Sequence, residues 1–387
     1  MKKIESLKQI PIYSHYDFDK PLPYLTKKMI NHNFPLNWQT QALQQRLAEG
    51  DVEWLSTSGT TSDRMQIMRP KRWRSEQIAR SYQYHHLLQN LWQQKEKRAV
   101  LSTVVCSQML CFKKAQTIDS RWLDRSLYLN MHHNPHDWQK QDIERMLAEL
   151  ASIGKYILDA DPFYLAIFIK KVKQYALTDK LITPQCITLS YELATINTYH
   201  FLQQFFQCPI INIYGSSELG YLLMSNDSGV MTNCSEQTEY EYRQIEHSDN
   251  LYELIVSSFK NPYMPLLRYQ TGDVIELDKK RSVVKRVMGR ASSYITLASE
   301  QQLYQQNIDD MVSLTCKQIF YYQLKKINDQ QYLMLYSTFD DQPLEDGQLT
   351  SLSTKLDQQW GLSIRYSLQN NIQPQHSGKF SWLSQDE

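Results

Sequence analysis

"CITLSYELATINTYHFLQQFFQCPIINIYGSSELG", residues 186–220, holds two apolar runs with a helical run between them. "CITLS" (186–190) and "PIINI" (209–213) are short and rich in β-branched residues, the composition of buried strands. "ATINTYHFLQQFF" between them reads as a helix. Strand, helix and strand at this spacing argue for a parallel α/β sheet. Ligands of such sheets bind beyond the carboxyl ends of the strands. "SYE" (190–192) and "YGSSE" (214–218) both fall there.

The same alternation extends upstream. "RAVLSTVVCS" (98–107) predicts a buried strand. Ile143, Met146, Leu147 and Leu150 recur at i, i+3, i+4 and i+7, with Gly154 as the stop. "YIL" (156–158) is a further short strand. Asp161 then caps a helix that has Pro162 at its first position and Leu165, Phe168, Ile169 and Val172 on its inner face. Shorter helices are expected over 38–49 and from 74 to about 95.

Downstream the texture changes. "LYELIVSSF", "DVIELD" and "SVVKRVMG" are short alternating runs, expected to form an antiparallel β subdomain between about 238 and 290. "QIFYYQLKKI", "YLMLYSTF" and the helical "LTSLSTKLDQQW" then suggest a small α+β domain, with "MGRASSYI" (288–295) as the hinge. The expected architecture is therefore α/β. A large N-terminal domain (1–290) carries a parallel α/β sheet and a β subdomain, followed by a small mobile α+β C-terminal domain (291–387).

Bulk properties narrow the partners. The 42 basic and 41 acidic residues nearly cancel, so no strong field exists to attract nucleic acid or an anionic membrane. "MKKIESLKQIPIY" lacks the continuous apolar core of a signal peptide, and no apolar run is long enough to span a bilayer. A cytoplasmic protein is the expectation. The six cysteines are scattered, with no CxxC pair and no zinc spacing, and are expected to be reduced. His132, His133 and His136 in "NMHHNPHDW" lie beside Asn-Pro and read as a loop, not as a metal site.

Several short motifs carry chemistry. "WLSTSGTTSDRMQ" (54–66) packs six hydroxyls around Gly59. It suits either a solvated Ser/Thr loop or a loop that wraps a phosphate chain, because hydroxyls and free backbone N–H groups are neutral phosphate donors. No G-K-[ST] closes it, so it is not a Walker loop. In "IYGSSELG", Tyr214 could stack on a purine with Gly215 letting the ring lie against the backbone. Ser217 could meet a phosphate oxygen and Glu218 could hold Mg²⁺. In "PLLRYQTGD" (265–273), Asp273 after a Thr-Gly turn could accept from both hydroxyls of a ribose. "GRASS" (289–293) and "HSGKF" (376–380) are weak alone.

Taken in order, TSGTTS, SYE, YGSSE, RYQTGD, GRASS and SGK resemble the motif ladder of the adenylate-forming superfamily, across residues 56–380. That superfamily includes acyl- and aryl-CoA ligases, peptide-synthetase adenylation domains and luciferases. The nearest branch looks like the phenylacetate–CoA ligases, with their short chain and "PL-RY-TGD" signature. The resemblance implies ATP- and Mg²⁺-dependent activation of a small carboxylic acid as an acyl-adenylate. Transfer to a thiol follows, either coenzyme A or the phosphopantetheine of a separate carrier protein. It also implies residue roles. Ser58, Gly59, Thr60 and Thr61 match the loop on the ATP β/γ-phosphates, and Tyr191 and Glu192 the edge beside adenine. Tyr214 and Gly215 match the adenine-stacking position, Ser217 the α-phosphate hydroxyl and Glu218 the metal ligand. Asp273 matches the ribose anchor with Arg290 as its partner, and Lys379 the mobile lysine. Tyr164, in "DPFYL", falls where an aromatic group reaches the acyl pocket.

The sequence also departs from the pattern. Ser62 stands where the phosphate loop usually has glycine. Ser292 and Ser293 stand where the hinge usually carries an acidic residue, and "ITLASEQQ" lacks the glycine of the loop that helps receive the thiol. The second half-reaction is the part these departures touch. Two other readings therefore stay open: acyl transfer to a protein or an amine, and a degenerate nucleotide-binding member without catalysis.

Overall fold

A computed structural model describes residues 2–57, 64–104, 117–278, 280 and 283–384. The N-terminal segment supplies three short helices, α1 (Lys2–Lys8), α2 (Lys27–Asn31) and α3 (Gln41–Ala48). Thr26 and Thr40 cap the latter two, accepting from the backbone N–H groups of Met29 and Leu43. A two-stranded hairpin of β1 (Val52–Ser56) and β2 (Gln66–Pro70) follows, then α4 (Trp73–Ser81) and α5 (His86–Gln93). Phosphate-loop candidates Ser58, Gly59, Thr60 and Thr61, and the departure at Ser62, lie outside the described residues.

Next come β3 (Lys97–Leu101), β4 (Trp122–Leu123), β5 (Ser126–Tyr128), α6 (Lys140–Ile153), β6 (Tyr156–Ala160), α7 (Pro162–Gln174), β7 (Cys186–Leu189), α8 (Ile196–Phe206) and β8 (Ile210–Ser216). Strands β5, β3, β6, β7 and β8 are parallel neighbours in that order. The expected caps are in place. Asp161 accepts from the N–H groups of Phe163 and Tyr164, and Gly154 ends α6 with φ of 72°. The buried sides of α6, α7 and α8 meet the sheet in one apolar cluster that includes Leu147, Leu158, Phe168 and Leu202. The strand expected over 98–107 ends at Leu101, and residues 105–107 lie outside the described set.

The antiparallel part consists of β9 (Gly220–Ser225), β10 (Met231–Asn233), β11 (Thr238–Gln244), β12 (Leu251–Ser258), β13 (Leu266–Asp278) and β14 (Val283–Arg290). This part is antiparallel, as the sequence leads one to expect, and it joins the parallel strands in one sheet. Strand β8 pairs parallel with β7 through Ile210–Asn212 and antiparallel with β9 through Ile213–Ser216. One sheet of twelve strands results, ordered β11-β12-β13-β14-β10-β9-β8-β7-β6-β3-β5-β4. Gly215 makes the junction possible, because a Cβ there would lie 2.3 Å from the carbonyl oxygen of Gly220.

The C-terminal unit contains the small hairpin of β15 (Ile295–Thr296) and β16 (Gln302–Leu303), then α9 (Gln305–Thr315), β17 (Ile319–Lys326), β18 (Gln331–Thr338), α10 (Asp346–Trp360), β19 (Ser363–Leu368) and β20 (Leu383–Ser384). Its four-stranded sheet, ordered β19-β18-β17-β20, has its own core around Ile308, Leu324, Met334 and Leu356. The unit is nonetheless seated on the rest of the chain. Phe320, Tyr321 and Ile372 are buried in the same apolar cluster as α6, α7 and α8. Among the described residues, no helix is long and apolar enough to cross a membrane.

Candidate active site

The carboxyl ends of the parallel strands, the start of β9, the β13–β14 pair and the end of the chain enclose a cleft of about 1630 Å³. Tyr191, Glu192, Tyr214, Gly215, Ser217, Glu218, Asp273, Arg290 and Lys379 all line it. Residues far apart in sequence thus share one wall system.

The acidic side is built by strand register. Asp273 and Arg290 face each other across β13 and β14, and an Arg290 guanidinium nitrogen lies 3.2 Å from the Asp273 carboxylate. Tyr214 reaches over from β8 and donates its hydroxyl to the other Asp273 oxygen at 2.7 Å. The carboxylate raises the Arg290 pKa, and burial, with Asp273 second, raises that of the Tyr214 phenol. Both groups therefore keep their protons and act as donors. Glu218, 7% exposed in the turn after β8, accepts at 2.9 Å from the buried hydroxyl of Tyr269. Burial, reinforced by Glu218, pushes the Tyr269 phenol well up.

Lys379 enters from the C-terminal unit. Its ammonium donates to the carbonyl of Tyr191 at 3.0 Å, and the next backbone N–H, of Phe380, donates to Glu192 at 2.9 Å. "SYE" therefore receives the C-terminal strand end. Tyr191 has φ of 77°, a left-handed conformation that a tyrosine adopts only when its surroundings impose it. Those surroundings are visible: its hydroxyl donates at 3.0 Å to Asp159, buried at the end of β6.

Tyr164 is placed differently from the sequence expectation. It is fully buried and is not among the residues that line the cleft; its neighbour Phe163 is. The Tyr164 hydroxyl lies 2.9 Å from the carbonyl oxygen of Gly378 and 3.0 Å from that of His133, so it ties α7 to the C-terminal unit. Those two carbonyls hold the Tyr164 side chain in the interior, while Phe163 lines the cleft.

Sequence reasoning missed how the histidine loop is used. His133 and His136 lie against the carbonyl oxygens of His376 and Ile372 at 2.8 and 3.0 Å, and Asn134 donates to Gln373 at 2.6 Å. Both imidazoles face carbonyl acceptors, so each donates from Nε2. His132 instead pairs with Asp142. Among the described residues, no group of three His, Cys, Asp or Glu side chains could hold a metal ion. Missed as well was the polar floor beneath Tyr191, formed by Arg98, Asp159 and Arg74. Nothing in "KRWRSE" or "KRAVLS" distinguishes these arginines from solvated ones.

A carboxylate set of this kind fits Mg²⁺ in one mode. The ion usually takes one or two protein carboxylates and completes its shell with phosphate and water. Glu218, which accepts from Tyr269, lines the cleft together with Glu192 and Glu253 and could serve as such a ligand, whereas Asp273 is already bound by Arg290 and Tyr214.

Comparisons with known proteins agree with this architecture. The chain superposes on a 2-hydroxyisobutyryl-CoA ligase in the postadenylation state, with a TM-score of 0.69 at 11% identity, covering 100% of this chain and 87% of that one. Against the same ligase in its thioesterification state the TM-score is 0.53 at 11% identity, over 99% and 87% of the two chains. An o-succinylbenzoate-CoA synthetase from Bacillus subtilis, in complex with its acyl-adenylate intermediate, gives 0.56 at 12% identity, over 86% and 67%. At such identities the likeness shows the fold, which is that of adenylate-forming acyl- and aryl-CoA ligases. In sequence, 138 residues are 30% identical to Protein CapK of Staphylococcus aureus. That match spans 33% of this chain and 30% of the relative. No protein-family model matches the chain.

Proposed function

We propose that the protein activates a small carboxylic acid with ATP, forming an acyl-adenylate and pyrophosphate, and then passes the acyl group to a thiol. The thiol is that of coenzyme A or of a carrier protein's phosphopantetheine, on the branch resembling phenylacetate–CoA ligases. One observation carries this reading. Lys379, Glu218 and the Tyr214–Asp273–Arg290 cluster come from four separate stretches of chain and converge on one cleft.

In this reading residues 1–290 are the body and 291–387 a lid. Asp273 accepts the ribose hydroxyls, with Arg290 holding it in place. Tyr214 and Gly215 border the adenine together with Tyr191 and Glu192, and Ser217 donates to the α-phosphate. Ser58, Gly59, Thr60 and Thr61 hold the outer phosphates. Mg²⁺ held by Glu218 would neutralise charge on the phosphates. The substrate carboxylate attacks the α-phosphorus, and the chain's own task is positioning and charge stabilisation. Lys379 brings a positive charge to the oxygens where negative charge builds. The better superposition on a postadenylation state than on a thioesterification state supports a lid seated for the first step.

The test is ATP–pyrophosphate exchange with Lys379→Ala. Loss of one preorganised donor costs about 2.7–4 kcal/mol, so exchange should fall by roughly a hundred- to a thousand-fold. Conversion of a supplied acyl-adenylate to the thioester should persist. Exchange at the unaltered rate would remove Lys379 from the reaction.

A further inference from the structure

The cleft wall beside Tyr191 is rich in positive charge. Three arginines gather there, and two of them are neutralised within the protein. Arg98, 2% exposed, reaches Asp159 at 2.5 Å and donates to Ser126 at 2.8 Å. Asp159 also accepts from Thr188, Ser190 and Tyr191, at 2.9, 3.1 and 3.0 Å, so its two oxygens are fully engaged. Arg69, 4% exposed, pairs with Glu53 at 2.6 Å. The third, Arg74, sits in the first turn of α4 and lines the cleft. Among the described residues its guanidinium has no carboxylate within ion-pair reach. The hydrogen bond it makes there is a long one, 3.5 Å to the hydroxyl of Tyr191.

Among the described residues of this cluster, two arginines are balanced by two carboxylates and the charge of Arg74 has none. A guanidinium partly withdrawn from water favours a complementary anion, and its planar fork matches a carboxylate at two points. Tyr191 fixes where that anion would lie. Lys379 contacts the backbone carbonyl of Tyr191 and Arg74 the far end of its side chain. The two cations are thus separated by about one tyrosine side chain, along one wall of one cleft. Arg74 is therefore placed for the far end of an acid whose reacting carboxylate lies near Lys379.

We propose that Arg74 recognises a second carboxylate on the substrate, so that the acid activated here is a short dicarboxylate with one end reacting and the other held as an anion. The proposal rests on the acid-activation reading and adds to it the substrate class.

The experiment is ATP–pyrophosphate exchange on matched pairs, hexanoate with adipate and benzoate with terephthalate, using the full chain, Arg74→Gln and Arg74→Lys. A charge-assisted hydrogen bond contributes about 1.5–3 kcal/mol, so a diacid should lead its monoacid by roughly tenfold or more in kcat/KM. Arg74→Gln should collapse that ratio through the KM of the diacid, and Arg74→Lys should keep part of it. Preference for the monoacids, or an ATP KM that rises in Arg74→Gln as much as the diacid KM, overturns the assignment while leaving acid activation standing. If no acid supports exchange, thermal shift in the presence of the diacids decides. Stabilisation of the unaltered chain and not of Arg74→Gln keeps the anion site and defeats acid activation. No shift in either defeats both.

Discussion

Gly378 shows how much a single position decides. Its φ is 75°, and a Cβ there would fall 1.9 Å from the Thr103 hydroxyl oxygen and 2.8 Å from the Thr103 Cβ. The glycine before Lys379 is therefore a point at which the backbone of the C-terminal unit touches the exit of β3. Gly378→Ala should keep the fold of the body, because the strain and the clash both lie at the docking contact. It should hold Lys379 off Tyr191 and lower ATP–pyrophosphate exchange at least as much as a strained left-handed alanine costs, about 1–2 kcal/mol, or roughly tenfold. Adding Thr103→Ala removes the nearer clash and should recover part of the loss. Unchanged exchange in Gly378→Ala would show that adenylation does not need the contact. The "HSGKF" stretch marks the lysine by its order among the other motifs. The reason for its glycine is visible only against Thr103, 275 residues earlier.

At the scale of elements, α8 is held at its N-terminus by the C-terminal unit. Asp309 of α9 accepts from the Ile196 backbone N–H at 2.7 Å, while Thr198 and Asn197 donate to the carbonyls of Phe320 and Ile319 at 2.8 and 3.0 Å. Asp309 is fully buried, and burial raises its pKa from 3.8 to about 7, against the lowering effect of the Ile196 N–H. The folded chain therefore holds a proton that the unfolded chain releases near pH 3.8. Stability from this group is complete below that pH and is lost as pH rises towards about 7. Asp161, raised by burial to about 7, acts in the same direction. Between about pH 4 and about pH 7 the melting temperature of the unaltered chain should therefore fall relative to that of Asp309→Asn, which keeps the acceptor and removes the charge. Parallel curves for the two proteins would mean that Asp309 is ionised in the fold.

Across the whole molecule, the large sheet domain holds the C-terminal unit with a stretch that the sequence marked only as a loop. His133, Asn134 and His136 take groups of that unit between Ile372 and His376, and Lys170 meets the Thr338 carbonyl and Asp341 at 2.8 and 2.7 Å. Arg286 binds Asp310 through two nitrogens at 2.7 and 2.8 Å. Losing two of these contacts should destabilise one position of the C-terminal unit more than either folded unit. Asn134→Ala with His136→Ala is thus expected to slow single-turnover adenylate formation several-fold. Under the proposed function, thioester formation from a supplied adenylate should be spared. Equal slowing of both steps would mean that the loop serves stability alone.

What was legible in the sequence was local or periodic. Apolar runs marked β6, β7 and β8, the i, i+3, i+4, i+7 pattern marked α6, and Asp161 with Pro162 marked the start of α7, because each depends on neighbours within one or two turns. The order of short motifs singled out Tyr214, Glu218, Asp273, Arg290 and Lys379, all of which line one cleft. The tertiary structure decided what depends on distant partners. Continuity of the twelve-stranded sheet rests on a change of pairing within β8, which strand composition does not encode. The direction of Tyr164 rests on carbonyls at His133 and Gly378. That Arg74 has no carboxylate partner among the described residues rests on which carboxylates reach Arg69 and Arg98 instead. A residue's charge and shape are written in the chain, but its partner is set by where folding brings the rest of it, and that pairing gives the cleft its chemistry.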